Sequence, residues 1–226
     1  MPTKQPIHRA CERGDVAALR RELASGVSPN VPDRSGRTPT YYCCSHGCSS
    51  EKQVACLNVL HEAGADVNVR TTRYQKTPLH KATQCCNTDV IAALLKAGAD
   101  INRVCKDNIT PLHCACWRNS SDCEPGKVLI RNGADVNVRD RFGTTPLDAA
   151  ILYRQRLVPI LLRAGAALHR SGPDAYIRKV IAAGGFGRYE KDHLNALSAT
   201  FARHFTRLPL EVVRLVVEYA FHLGYY

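Results

Sequence analysis

The chain has no run of about 18 consecutive apolar residues, so no part of it reads as a membrane-spanning helix. Its opening, Met-Pro-Thr-Lys-Gln-Pro, lacks the apolar core of a secretory signal, and a cytosolic or nuclear location is expected. Acidic residues are scarce: 20 Asp and Glu face 31 Lys and Arg, a formal net charge of +11 that raises nucleic acid as a partner. Phosphate-binding loops are also missing. Ala182-Ala-Gly-Gly-Phe-Gly187 is rich in glycine but has neither a following Lys-Ser/Thr nor the dinucleotide-binding spacing, and it reads as a flexible connection.

What the chain does have is repeated punctuation. Pro6, Pro39, Pro78, Pro111 and Pro146 recur at intervals of 33, 39, 33 and 35 residues. Each later proline follows a threonine, the pairing expected where a Thr N-cap precedes Pro at the first helical position. Gly26, Gly64, Gly98, Gly133 and Gly165 are placed to end helices, since glycine takes the positive φ of a helix stop. After three of them comes Ala-Asp-Val/Ile-Asn and then a turn-rich stretch with Asp, Arg and Gly at its tip. One such unit cannot bury its own apolar face. Length varies between the helices of a unit and hardly at all in the finger that joins units. Around His46–Lys52 extra residues should lengthen the turn between the two helices.

Helix starts such as Thr77-Pro-Leu-His-Lys-Ala-Thr83 and Thr110-Pro-Leu-His-Cys-Ala-Cys116 resemble the ankyrin repeat, whose signature is T-P-L-H-x-A with a period of about 33. The resemblance implies an all-α solenoid with β-hairpin fingers. Five repeats are expected over residues 4–32, 33–70, 71–103, 104–139 and 140–168, together 4–168, the first acting as a charged end cap. A C-terminal helical module is expected over 174–226. The resemblance also implies that His80 and His113 tie neighbouring repeats together by hydrogen bonds rather than act as catalytic bases. His8 shares their column, while Tyr41 and Asp148 replace the histidine elsewhere. With those histidines assigned, no nucleophile–base or paired-carboxylate arrangement is left, and the chain is not expected to be an enzyme.

The 11 cysteines are an odd number in a chain without a secretory signal, so free thiols are expected. Cys11, Cys43, Cys44 and Cys116 fall where the repeat carries small alanines, and a thiol there acts as a small hydrophobe. The crowded Cys43, Cys44, His46 and Cys48, and His113, Cys114 and Cys116, lack the matched pairs of a structural zinc site. No metal and no cofactor are expected.

The positive charge gathers in the fingers, which hold Arg34, Arg37, Arg70, Arg73, Lys76, Arg103, Lys106, Arg139 and Arg141 against only Asp33, Asp107 and Asp140. A row of basic tips, with Tyr74 and Phe142 among them, makes a ledge that is either a solvated surface keeping the chain soluble or a binding edge for an acidic peptide or protein, and nucleic acid is not the expected partner. Two columns should face the concave groove: Arg9, Tyr42, Lys81, Cys114 and Ala149, then Glu12, Ser45, Gln84, Trp117 and Leu152. Tyr42, Lys81 and Trp117 join the candidate partner-binding residues by their place in these columns, Trp and Tyr being common interface hot spots; the other reading of Trp117 is that it packs over the lengthened turn of its own repeat.

Beyond the repeats, an amphipathic helix should follow Asp192, and Leu208–Phe221 reads as a helix whose only polar stripe is Glu211, Arg214 and Glu218. Its Leu-Pro-x-Glu start resembles the opening of an F-box, or the shortened boxes found C-terminal to ankyrin repeats in some viral proteins. The resemblance implies docking of a cullin-ligase adaptor by Leu208, Pro209, Leu210, Glu211, Val213 and Val217. A SOCS-type box fits less well, since Leu197-Ser-Ala-Thr-Phe201 has its leucine but Phe where Cys is expected. Capping of the last repeat is the plainer role for the same segment. The expected function is a non-enzymatic protein-interaction module or scaffold. The alternative is a substrate-recognition subunit of a cullin-type ubiquitin ligase.

Overall fold

The computed structural model describes residues 4–45, 47–117, 123–153 and 155–167, with a few helical positions beyond them. The chain divides into two units, Met1–Leu161 and Leu162–Tyr226. The expected helices at 192–208 and Leu208–Phe221, with their docking residues, lie outside the described residues.

Each proline that follows a capping residue starts a helix. The helices are α1 Pro6–Arg13, α2 Val16–Ala24, α3 Pro39–Cys43, α4 Ser50–Glu62 and α5 Pro78–Gln84. Then come α6 Thr88–Lys96, α7 Pro111–Cys116, α8 Glu124–Arg131, α9 Pro146–Tyr153 and α10 Val158–Arg163. The odd-numbered helices α1 to α9 pack in succession as one layer, and α2, α4, α6 and α8 as a second. Among the described residues there is no strand.

Local chemistry explains the boundaries. Thr77 and Thr110 accept hydrogen bonds from the backbone N–H of His80 and His113, satisfying donors that the first helical turn leaves open. At the other end, Gly64, Gly98 and Gly133 take φ of 78°, 87° and 85°. That left-handed turn lets the next residue reach back into the helix: Ala65 N–H to Leu60 C=O, Ala99 to Leu94 and Ala134 to Leu129, at 2.9–3.0 Å.

The motif asparagines then bind the next repeat. The Asn30 side-chain oxygen accepts from Asp66 N–H, Asn68 from Asp100 and Asn102 from Asp135, each at 2.8 Å. These bonds span more than 30 residues of sequence with one short polar side chain. They explain why Asn recurs after Ala-Asp-Val.

Between the layers lies the core. Leu79, Leu112 and Leu147, the leucines of the Thr-Pro-Leu starts, are buried, as are Leu60, Leu94 and Leu129 at the helix ends. Truncating one of these to Ala costs about 2–5 kcal/mol. Every cysteine among the described residues is free, and nine of the 11 are buried, only Cys48 and Cys86 being partly open. Burial pushes the Cys114 thiol up to about 12, so it behaves as an inert hydrophobe. Among the described residues no three metal-ligating side chains converge.

The second repeat spends its extra residues differently from expectation. The turn lengthens, but α4 also grows to 13 residues against nine in α2 and α6. That turn folds back on the first repeat, where Gly47 lies so close to the Glu12 carbonyl that no side chain would fit.

Candidate interaction surface

The fingers are built alike. In each, the residue entering the tip donates its N–H to the carbonyl just before the capping threonine: Asp33 to Arg37, Thr71 to Lys76, Cys105 to Ile109 and Asp140 to Thr144, at 2.8–3.0 Å. Short side chains finish the closure. The Asp33 carboxylate accepts from the N–H of Ser35 and Arg37, that of Asp140 from Phe142 and Thr144, and Thr71 Oγ1 from Lys76. Each finger also bonds its neighbour through the backbone. Thr72 N–H donates to Ser35 C=O, Lys106 to Tyr74 and Arg141 to Asp107, at 2.8–2.9 Å.

These bonds put the four fingers in one register. Counting back from the capping Thr38, Thr77, Thr110 and Thr145, the fourth position is Arg34, Arg73, Lys106 and Arg141. All four are basic and exposed. The third position is Ser35, Tyr74, Asp107 and Phe142; the second, Gly36, Gln75, Asn108 and Gly143, is left-handed throughout. The sequence reading missed this register because the second finger is one residue longer. Counting from the restart threonine, rather than from the stop glycine, would have found it.

Acids and bases in the fingers have separate fates. Asp33 and Asp140 are buried, each with Oδ1 taken up by finger backbone, and Asp33 Oδ2 accepts from the Arg37 and Tyr42 side chains. Burial alone would raise the Asp33 pKa, but hydrogen bonds from Arg37, Tyr42 and Ser35 outweigh it and hold the carboxyl below its usual value. Asp107 pairs with Arg141 Nη1 at 2.6 Å, yet 58% of the Arg141 side chain remains exposed. The outer edge is therefore mainly basic, with Asp107 the one finger acid that stays partly exposed in it.

Aromatic rings stand among these charges. Tyr74 is 49% and Phe142 74% exposed. The Arg73 guanidinium lies 5.0 Å from the Tyr74 ring centre, and that of Arg141 lies 4.8 Å from Phe142, at cation–π distance.

The remaining candidates divide. Arg70, Arg103 and Arg139 are exposed, whereas Lys76 is half-buried with its ammonium over the Tyr74 ring. Lys81 and Trp117 are half-buried, and the Trp117 ring leans on His113 with centres 5.9 Å apart. Tyr42, expected in the groove, is only 4% exposed. Its hydroxyl donates to Asp33 Oδ2 at 2.8 Å, and its ring lies between His8, Lys4 and Arg37. Arg37 is engaged there too, donating to Asp33 from Nε at 2.9 Å. These two hold the first finger to its helix. On the outer column, Leu152 is exposed.

The histidines sit inside the stack. His80 Nε2 meets Ile109 C=O at 3.0 Å and His113 Nε2 meets Thr144 C=O at 3.1 Å, in each case in the following repeat. Since Nδ1 accepts from the N–H of Thr77 or Thr110, Nε2 is the ring nitrogen that carries the proton. Burial lowers all three pKa values, that of His80 to about 4. Neutral, buried and bonded on both sides, they are fasteners.

Two layers of short helices with hydrogen-bonded fingers define a helical repeat protein of the interaction class. The model of ankyrin repeats in three copies matches residues 7–105, and that of ankyrin repeats in many copies matches 94–150. The chain belongs to the ankyrin-repeat family, whose repeats bind other proteins. It is similar to Ankyrin repeat and SOCS box protein 16 of Homo sapiens, with 32% identity over 64% of this chain and 40% of that protein. Ankyrin repeat and SOCS box protein 3 of Bos taurus is 32% identical over 67% of this chain and 34% of its own length. The Escherichia coli protein YahD, named as an ankyrin repeat protein, is 30% identical over 71% of this chain and 79% of its own. The chain thus spans less than half the length of the two SOCS-box relatives.

Proposed function

We propose that this chain is a non-enzymatic interaction module that holds an acidic segment of a partner protein along its finger edge. The observation that supports it is the separation of charge within the fingers. Arg34, Arg73, Lys106 and Arg141 stand exposed in register, while Asp33 and Asp140 are buried. A ledge of one sign steers and orients an oppositely charged partner. Replacing Arg34, Arg73 and Lys106 with Glu in the intact chain should weaken a captured partner at least about tenfold, and raised salt should weaken the unmodified chain likewise. Unchanged affinity after reversal would leave the ledge a solvating surface only.

A second reading is a substrate-recognition subunit of a cullin-type ubiquitin ligase, with the repeats choosing the substrate. The names of the two relatives that join ankyrin repeats to a SOCS box support it. They favour a SOCS-type box over an F-box-like one as the docking element, and that element would lie beyond residue 174. Recovery of cullin adaptors by the intact chain, lost when residues 174–226 are removed, supports this reading. Absence of adaptors from the intact chain's partners overturns it.

A further inference from the structure

Tyr74 and Phe142 occupy the same place in their fingers, three residues before the capping threonine, and are two fingers apart. Both are exposed, and both carry an arginine over one ring face. Between them lies the third finger, with Lys106 at the basic position and Asp107 at the aromatic one. A hydrogen-bonded backbone path, Tyr74 to Lys106 and Asp107 to Arg141, sets the spacing of the finger backbones that carry the two rings.

Their separation follows from general dimensions. Neighbouring repeats pack their helices about 8–10 Å apart. A finger two backbone arms wide, at about 4.8 Å per arm, gives a similar step. Two fingers therefore span about 20 Å, the reach of six extended residues at about 3.3 Å each. Side chains of an extended segment alternate sides, so an even separation sends both to the same face.

We propose that the finger edge reads an extended acidic peptide bearing apolar side chains at positions i and i+6. The apolar side chains rest on Tyr74 and Phe142, and the intervening Asp or Glu residues face Arg73, Lys106 and Arg141. This rests on the acidic-segment reading above and adds to it a spacing and an apolar requirement. Single-stranded nucleic acid also combines stacking groups with negative charge. The Asp107 carboxylate in mid-row argues against it, because a phosphate chain places charge at every step whereas a peptide can place a neutral residue there.

The test measures fluorescence anisotropy of labelled peptides on the intact chain at fixed salt. One peptide carries Phe at both ends of a five-residue spacer of Asp and Glu with a neutral Ser at its centre, a second has Ser in place of both Phe, and a third has the two Phe three residues apart. An oligothymidylate of equal charge is the fourth probe. The first peptide should bind about tenfold tighter than the second and third. Phe142→Ala or Tyr74→Ala should erase that gain while leaving the Ser peptide unaffected; both side chains are exposed, so neither change disturbs the core. Equal binding of the first and second peptides overturns the apolar requirement, and equal binding of the first and third overturns the spacing, each leaving the charge reading intact. Indifference of every peptide to Arg34, Arg73 and Lys106 reversal overturns the charge reading itself. Tighter binding of the oligothymidylate than of any peptide overturns the choice of partner.

Discussion

The third and fourth repeats are fastened forward by a tie that the second repeat lacks. In the former, a threonine oxygen and a histidine Nδ1 lie 2.8 Å apart, and Nε2 reaches the next finger. In the second repeat the aligned pair is Thr38 and Tyr41. Among the described residues Tyr41 makes no side-chain hydrogen bond, and the hydroxyls of Thr38 and Thr40 are buried without a partner. An unmet buried polar group costs about 1–3 kcal/mol. In the second repeat the neighbouring Tyr42 bonds Asp33 within the repeat, and its ring meets His8 of the first. The residue at this one column thus decides whether a repeat has the imidazole tie; the second repeat is joined forward by other bonds, such as that from Asp100 N–H to Asn68.

The largest expected effect is of acid. A histidine whose folded pKa lies below its free value of 6.5 binds fewer protons folded than unfolded. Its contribution is complete above about pH 6.5 and is lost as pH falls toward 4. For His80 alone, with a pKa near 4, the loss is about 3 kcal/mol. His8 and His113, shifted in the same direction, add to it. Urea unfolding at pH 7, 5.5 and 4 should therefore show a steep decline, and a flat profile would remove the histidines from the account of stability.

Next comes a paired comparison at the aligned column. His80→Ala deletes the bond to Ile109 and the partner of Thr77, and leaves a cavity. It should cost about 3 kcal/mol. Tyr41→Phe at the same position should shift stability by less than about 0.5 kcal/mol. Similar urea midpoints for the two variants would erase the distinction between the joints.

The smallest effect sharpens the contrast. Tyr41→His restores the family's residue at the deviant repeat, within reach of the Thr38 hydroxyl and, by analogy with His80, of the Lys76 carbonyl. A gain of about 1 kcal/mol is expected, together with a steeper loss below pH 6.5. A loss of stability at pH 7 would mean that the pocket is shaped for the phenol ring.

Much of the repeat fold was legible in the residues because its signals are local. A Thr-Pro start needs only its own first turn, and a stop glycine needs only its own φ. The tying role of His80 and His113 was legible through the family resemblance and matches the observed bonds. The candidate edge was legible as a list of basic residues. Its register was not, because the bonds that define it join residues some 30 apart and the second finger has one residue more. Tyr42 shows the same limit, since its helical column suggested the groove while a carboxylate nine positions back drew it inward.

The sequence by itself determined where each proline-started helix begins and where each stop glycine falls, the period, and the surplus of positive charge, since caps, turns and composition act over a few residues. Tertiary structure decided which charges remain outside and which aromatics stand exposed. Those outcomes depend on partners that only folding brings into reach. Asp33 and Asp140 are acidic residues in any count, yet only folding turns them into internal props and leaves Arg34, Arg73, Lys106 and Arg141 to face a partner.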